Sequence, residues 1–318
     1  MQNKKELLEK RALYRQTLRG FFEERDFVEA VTPLLVKNPG LEPAIQYFET
    51  EFRPLMGRGE SQTYYLPTSP EYHLKKILSW GVPKLFEITR SFRNGELGSQ
   101  HRPEFEMLEW YRQPGTYEDI AKDVEELLKK LWKTFQKTAA PAFKHKKVAE
   151  VFADFDLDLE EFQKTPLSLF RQALAKHSVE SSEDDSFEDL FHRAFIELIE
   201  PRFNSEEILF LWDFPTPLRA LSKLSDNKFY CKRFEVYWGT VELGNAFDEL
   251  VDEIELRAVC VADQNKRKVK YSKTPPLDEE FLEAHKRLLP QMGGIAMGVD
   301  RIFQWATGAK SLDEVMLF

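Results

Sequence analysis

Long apolar runs are missing from this chain. None reaches the roughly 18 residues that a bilayer-spanning helix needs, so a helical membrane protein is excluded. Cysteine is scarce: Cys231 and Cys260 are the only two among 318 residues. Two are too few for a disulfide framework, and neither sits at a metal-ligand spacing, which points to a reduced, cytoplasmic protein without a structural zinc site. The opening residues, MQNKKELLEKR, are polar and lack the apolar stretch of a secretory signal. Basic residues are in the minority, 45 against 54 acidic ones, and the net charge of -9 argues against a large nucleic-acid footprint. A local basic patch can coexist with an acidic total. The run Lys266 to Lys270, KRKVK, is such a patch, or simply a solvated helix end. No internal repeat is present.

What the chain does contain is the make-up of a soluble globular protein, 42% hydrophobic and 31% charged. Residues 5–25 read as an amphipathic helix with Leu7, Tyr14, Leu18 and Phe21 on one stripe. Phe27 to Val31 reads as a strand ending before Pro33, and Tyr64 to Leu66 as another. A helix is expected from Pro70 to Trp80, with Ser69 as its cap. Residues 85–93 and 103–112 alternate and form a long-looped antiparallel hairpin. Thr116 to Asp119 matches a capping box that opens the next helix, whose stripe is Ile120, Val124, Leu127, Leu131 and Phe135. Residues 138–205 begin as Ala-Pro and Lys-rich linker text, turn helical and carry an acidic run from Glu183 to Asp189, which reads as a small helical insertion with a solvated face. Strand patterns return at Ile208 to Phe214 and Arg233 to Phe247, helices around 252–270 and 278–290, and a glycine-rich strand runs into a last helix near Asp300. Strands paired through hairpins with helices around them predict an α+β fold on an antiparallel sheet.

The segment RFEVYWGTVELGNAFDEL, Arg233 to Leu250, can be read by geometry. A two-residue turn at Gly239-Thr240 sets Tyr237 opposite Glu242 and Glu235 opposite Gly244. Glu235 and Glu242 then share a face, because opposed residues and residues two apart do so. Two carboxylates so close are unfavourable without a cation between them, and Mg2+ carrying substrate phosphates is a natural one. The other reading is a pair of solvent-facing glutamates on an exposed sheet.

Two distant stretches carry chemistry: FEITRSFRNGELGSQHRPEFEMLEWY, Phe86 to Tyr111, and GGIAMGVDRI, Gly293 to Ile302. Each sets an arginine, Arg93 or Arg301, beside residue types that bind a triphosphate. They resemble motifs 2 and 3 of the class II aminoacyl-tRNA synthetases, closest to the lysine branch. The long first helix, strand and Pro33 resemble motif 1, a dimer-forming element. TSPEYHLKK from Thr68 resembles the opening of the amino-acid pocket, and ELGNAFDEL the carboxylate strand. Five motifs in order, from Leu7 to Phe318, are far more specific than any one of them.

The resemblance implies the class II catalytic core, ATP and Mg2+ as reactants, and a homodimer. It implies that Arg93 binds the α-phosphate and the reacting carboxylate, Arg301 the γ-phosphate, His101 the outer phosphates and Phe105 the adenine. Asn94, Glu96, Arg102, Leu243 and Gly298 complete the nucleotide contacts, and Glu235 and Glu242 hold the metal. Ser69, Pro70, Glu71, Glu109, Tyr111, Asn245, Glu249 and Ala296 line the amino-acid pocket. Three carboxylates suit a substrate with two amines.

The pattern also departs from lysyl-tRNA synthetases. The first helix begins almost at Met1, so the resemblance implies residues 1–318 to be a catalytic domain, with 138–205 an insertion, and no anticodon-binding domain. Ser69 stands where those synthetases have alanine, and Ala296 where they have glycine. These features resemble a truncated paralogue family that attaches lysine or (R)-β-lysine to a lysine of elongation factor P; that implies this acceptor and argues against transfer RNA. The family's Arg-Asn-Glu reads Arg93-Asn94-Gly95-Glu96 here, which leaves open whether Glu96 takes over the adenine contact. Arg102 replaces an asparagine. Rival readings are a minimal lysyl-tRNA synthetase, a non-catalytic amino-acid-binding regulator, and an amide-forming ligase for a small acceptor.

Overall fold

A computed structural model describes residues 2–55 and 59–318. The chain forms two compact units, one of Met1–Thr138 with Glu249–Phe318, the other of Ala139–Asp248.

The first unit opens with α1 (Gln2–Glu23). Tyr14, Leu18, Phe21 and Phe22 are fully buried along it; Phe22 joins the expected stripe, because positions 18, 21 and 22 lie on one helical face, and Leu7 is only half-buried. The strand expected at Phe27 to Val31 shrinks to β1 (Val28–Glu29), since Val28 and Val31 face outward and only a short stretch pairs. β2 (Phe48–Phe52) and β3 (Gln62–Leu66) form a separate antiparallel pair. α2 (Glu71–Leu78) has Pro70 at its N-cap, and the Ser69 hydroxyl accepts the Glu71 N–H at 3.0 Å. β4 (Lys84–Phe92) and β5 (Glu104–Arg112) pair antiparallel in full register, Phe92 opposite Glu104 and Lys84 opposite Arg112. Phe86 of β4 stacks on Phe22 at 4.6 Å. Thr116 and Asp119 make the expected capping box of α3 (Tyr117–Phe135).

The second unit opens with β6 (Ala142–Lys147), which runs parallel to β7 (Glu207–Pro215). This strand lies in text read as linker. Its sequence AFKHKK is almost wholly exposed, so no alternation marks it. Four short helices follow, α4 (Val148–Ala153), α5 (Leu159–Lys164), α6 (Leu167–Lys176) and α7 (Phe187–Ala194), the last running into a π-helical turn at Phe195–Ile199. They bury Phe152, Phe170, Leu190 and Phe191 in a core shared with Leu211 of β7. β8 (Tyr230–Trp238) and β9 (Val241–Asp248) complete the strand order β9-β8-β7-β6.

The chain returns to the first unit with α8 (Glu253–Lys270), α9 (Glu279–His285), β10 (Gly293–Gly298) and α10 (Val299–Thr307). β10 pairs antiparallel with β5, giving the order β1-β4-β5-β10. Both units pair strands mainly antiparallel, with parallel pairs at β1–β4 and β6–β7, and both pack helices on them, the α+β class expected. Among the described residues no helix is long and apolar enough to cross a membrane.

Candidate functional site

The two arginines lie in the first unit. Arg93 follows β4, and its backbone N–H donates to Pro103 O at 2.9 Å. Its guanidinium lies 5.2 Å from the Phe105 ring centre and 3.8 Å from Glu96, while its Nε is buried without a hydrogen-bond partner. Gly95 has φ +85°, a left-handed conformation that a glutamate there would strain, so the glycine fits its local backbone. The turn directs Glu96 back to Arg93. Asn94 donates its backbone N–H to Gln46 O and its side-chain amide to Tyr47 O, joining this strand end to the 38–47 loop.

Arg301 is on α10. Arg11 of α1 is 2.8 Å from Asp300, and the Tyr14 hydroxyl donates to Val299 O, so α1 fixes the start of that helix. The Arg301 guanidinium donates to Gln100 O at 3.1 Å and meets His101 Nε2 at 3.0 Å. A Cβ on Gly298 would lie 3.4 Å from Arg301 Cδ. Arg102 donates to Gly98 O and His101 O and pairs with Asp313. It therefore clamps the 98–102 loop in this structure.

An acidic cluster lies in the same unit. The Ser69 hydroxyl donates to Glu109 at 2.7 Å and the Tyr111 hydroxyl to its other oxygen at 2.5 Å. Ala296 stands opposite Glu109 in the β5–β10 register. Burial, and next the Glu71 carboxylate, push Glu109 up to about 8 against the pull of these hydroxyls and Lys75. Lys75 is not among the residues that the sequence motifs single out. It is fully buried, and its ammonium lies 2.6 Å from Glu71 and 2.5 Å from Glu249. Burial works against its charge, but the two carboxylates outweigh that and hold its pKa above the ordinary lysine value. The i,i+4 spacing from Glu71 was a readable signal. Gly294 makes room for this cluster: a Cβ there would lie 2.2 Å from the Tyr111 ring and 2.6 Å from Glu249.

In the second unit the acidic hairpin differs from its expected register. Tyr237 does face Glu242, but a bulge follows and sets Val236 opposite Gly244 and Glu235 opposite Asn245. Leu243, buried, lies in the stretch that absorbs the shift. Glu235 still shares a face with Glu242 through Tyr237, and Asn245 joins them. Glu235 is buried, which rules out two simply solvent-facing glutamates. Arg233, two residues before Glu235, pairs with it and donates to Asn245 Oδ1 at 3.1 Å; the Tyr237 hydroxyl donates to the other Glu235 oxygen. So the cation that the paired carboxylates require is partly supplied by the chain itself. A hard divalent ion still fits this donor set, because each carboxylate oxygen has a second lone pair to offer.

The sequence matches the family described as tRNA synthetases class II (D, K and N) over residues 1–318. It is 35% identical over 295 residues to an elongation factor P–(R)-β-lysine ligase homologue of Aquifex aeolicus, covering 93% of each chain. It is 33% identical over 312 residues to the elongation factor P–(R)-β-lysine ligase of Klebsiella pneumoniae, and 32% over 314 residues to that of Haemophilus influenzae, covering 97% of this chain and 93% of each relative. The chain belongs to the class II tRNA synthetase (D, K and N) family.

Proposed function

We propose that this protein is an ATP-dependent ligase that activates lysine or (R)-β-lysine as the aminoacyl-adenylate and transfers it to a lysine side chain of elongation factor P. The observation that carries the reading is the buried cluster of Glu109, Tyr111 and Ser69 backed by Glu71, Lys75 and Glu249, whose three carboxylates against one ammonium suit a cationic side chain. The names of the relatives supply the acceptor.

In this reading the amino-acid carboxylate attacks the α-phosphorus of ATP. A C–O–P link forms, and the bond to pyrophosphate breaks. No general base is needed, since the carboxylate is already an anion. Arg93 holds the α-phosphate and the attacking carboxylate, Arg301 the γ-phosphate, and both meet charge that develops as pyrophosphate leaves. His101, Asn94, Glu96, Phe105, Leu243 and Gly298 serve the remainder of the nucleotide, and Arg102 steadies the loop that carries His101. Glu235 and Glu242 would hold Mg2+, which when bound neutralises phosphate charge. An acceptor amine, after losing a proton, then attacks the anhydride carbonyl, an amide forms, and AMP leaves. Ser69, Pro70, Glu71, Glu109, Tyr111, Asn245, Glu249 and Ala296 serve the amino acid.

One assay separates this from its rivals. Labelled lysine or β-lysine is supplied with ATP and Mg2+ to the protein, together with purified elongation factor P and transfer RNA. Label on the factor is expected. Label on transfer RNA instead would replace the reading with a minimal synthetase, and label on neither, without pyrophosphate exchange, with a non-catalytic binder.

Glu109 gives a pH signature. An ammonium pairs with the ionised carboxylate, and at pH 6 a group titrating near 8 is about 1% ionised. The KM for the amino acid should therefore fall by at least about tenfold per unit between pH 6 and 8 and then level off. In Glu109→Gln the slope should flatten. A wild-type KM independent of pH over that range would refute the role. The same raised value favours the empty folded protein at low pH, a contribution lost as pH rises through about 8.

The reading includes a cytoplasmic homodimer. Val28, Val31, Leu34 and Leu35, exposed just beyond α1, supply an apolar surface for the second copy. Sedimentation at the monomer mass would refute it.

A further inference from the structure

We infer that Glu42, in the loop between β1 and β2, is a specificity-determining residue that pairs with the substrate ammonium nearest the reacting carboxylate. This assignment rests on the lysine-activating reading above and adds a residue which that reading does not contain.

The loop is built to hold this side chain. Arg267, buried on α8, donates at 2.6 Å to both Glu42 O and Ile45 O, and its guanidinium lies 3.9 Å from the centre of the Tyr47 ring. The Tyr47 hydroxyl donates to Gly40 O at 2.9 Å. Gln46 bridges Asn94, which ties the loop to the residue next to Arg93. Gly40 has φ +111°, and a Cβ there would lie 2.6 Å from Glu42 Oε2. Only a glycine both adopts this backbone and leaves space for the carboxylate to fold back over it.

So positioned, Glu42 Oε2 is buried and has no hydrogen-bond partner. A buried carboxylate oxygen without a partner is costly, and such a group calls for a ligand or another function. Its electrostatic neighbours name the ligand. Burial and then Glu71 push Glu42 up to about 7, while a hydrogen bond from its own backbone N–H, and after it Arg93 and Arg267, pull the other way. Arg93 has its own unpartnered buried donor, Nε. A carboxylate near a guanidinium, each with an unsatisfied polar atom, suits a zwitterion: the substrate carboxylate toward Arg93, its ammonium toward Glu42. Glu71 and Glu249 already have an ammonium partner in Lys75, whereas Glu109 meets only the neutral hydroxyls of Ser69 and Tyr111. Glu109 is left for the distal ammonium. The ligand class is thus an amino acid with an ammonium at C2 or C3 as well as one at its far end.

The test compares lysine and β-lysine with 6-aminohexanoate, which keeps the carboxylate and the distal ammonium and lacks the proximal one. Pyrophosphate exchange is measured for the wild type, Glu42→Gln and Glu42→Asp. In Glu42→Gln the KM for the better diamino acid should rise on the order of 10- to 100-fold, with kcat, the KM for ATP and the KM for 6-aminohexanoate within about threefold of wild type. Glu42→Asp should restore part of the loss. A parallel loss for all three acids would mean a structural role and overturn the assignment. Should Glu42→Gln fail to fold, Glu42→Asp carries the same comparison: a KM for the better diamino acid raised more than that for 6-aminohexanoate supports the assignment, and an equal change for both overturns it, as does a wild-type preference for the better diamino acid over 6-aminohexanoate of less than about threefold. Wild-type protein that exchanges with none of the three would instead overturn the lysine-activating reading, and this assignment with it.

Discussion

Arg301→Ala should lower lysine-dependent pyrophosphate exchange on the order of 10^2- to 10^3-fold, the usual cost of removing one donor aimed at developing transition-state charge. The fold should survive. The start of α10 is fixed by Arg11 on Asp300 and Tyr14 on Val299, and the buried side chains Ile302, Phe303 and Trp305 hold its core face. The Arg301 guanidinium bonds Gln100 O and His101, both in a loop, so its loss should cost about 1 kcal/mol or less in a thermal melt. Arg301→Lys keeps a cation but forfeits the planar fork, and should fall between wild type and alanine. The KM for ATP and kcat should both suffer, because a γ-phosphate contact acts before and during pyrophosphate departure. Exchange at wild-type rate in a folded Arg301→Ala protein would remove Arg301 from the site.

The parts of this protein that sequence made legible are those whose signal is local and periodic. α1, the β4–β5 hairpin and the capped α3 all have an amphipathic stripe or an alternation that one window contains. β6 is not legible in the sequence, because an exposed edge strand rich in lysine has no face to bury and so no alternation. The Glu235 register was misjudged by one residue because a bulge leaves no mark in composition; Leu243 is as apolar as any strand residue. The pairing of Glu235 with Glu242 survived that error, since the shift falls on the far side of Tyr237.

The charged partners tell a similar story. Glu71, Glu109 and Glu249 are legible through motif order, but no motif singles out the cation between two of them. Arg233 stood two residues from Glu235, the spacing of a shared strand face, and Lys75 four from Glu71, the spacing of a shared helix face. Glu42 had no such signal. It sits in an irregular loop, and what singles it out is the combination of Gly40, Arg267 and Tyr47, which only the folded chain assembles.

Lys75 carries the largest expected stability effect. Its ammonium is fully buried between Glu71 and Glu249, and Glu249 is equally buried. Lys75→Met preserves length and apolar volume and removes the charge. Two carboxylates then face each other without a counter-ion, and breaking a buried pair in this way costs about 3–5 kcal/mol. The loss follows from the carboxylates left behind, so it should depend on pH. A buried carboxylate without a counter-ion favours its protonated form, so it stabilises the fold at low pH and loses that contribution as pH rises. The gap between wild type and Lys75→Met should therefore narrow toward pH 5 and widen toward pH 8. The double variant Lys75→Met with Glu249→Gln removes one of the two charges and should recover a large share of the loss, a non-additivity that a cavity or packing defect would not produce. Thermal melts of wild type, both single variants and the double variant across that pH range measure all of this. A Lys75→Met penalty under about 1 kcal/mol, or strictly additive singles, would mean that the ammonium does not neutralise the pair. The pocket would then present all three carboxylates to a substrate, and its preference for a diamine would owe nothing to Lys75.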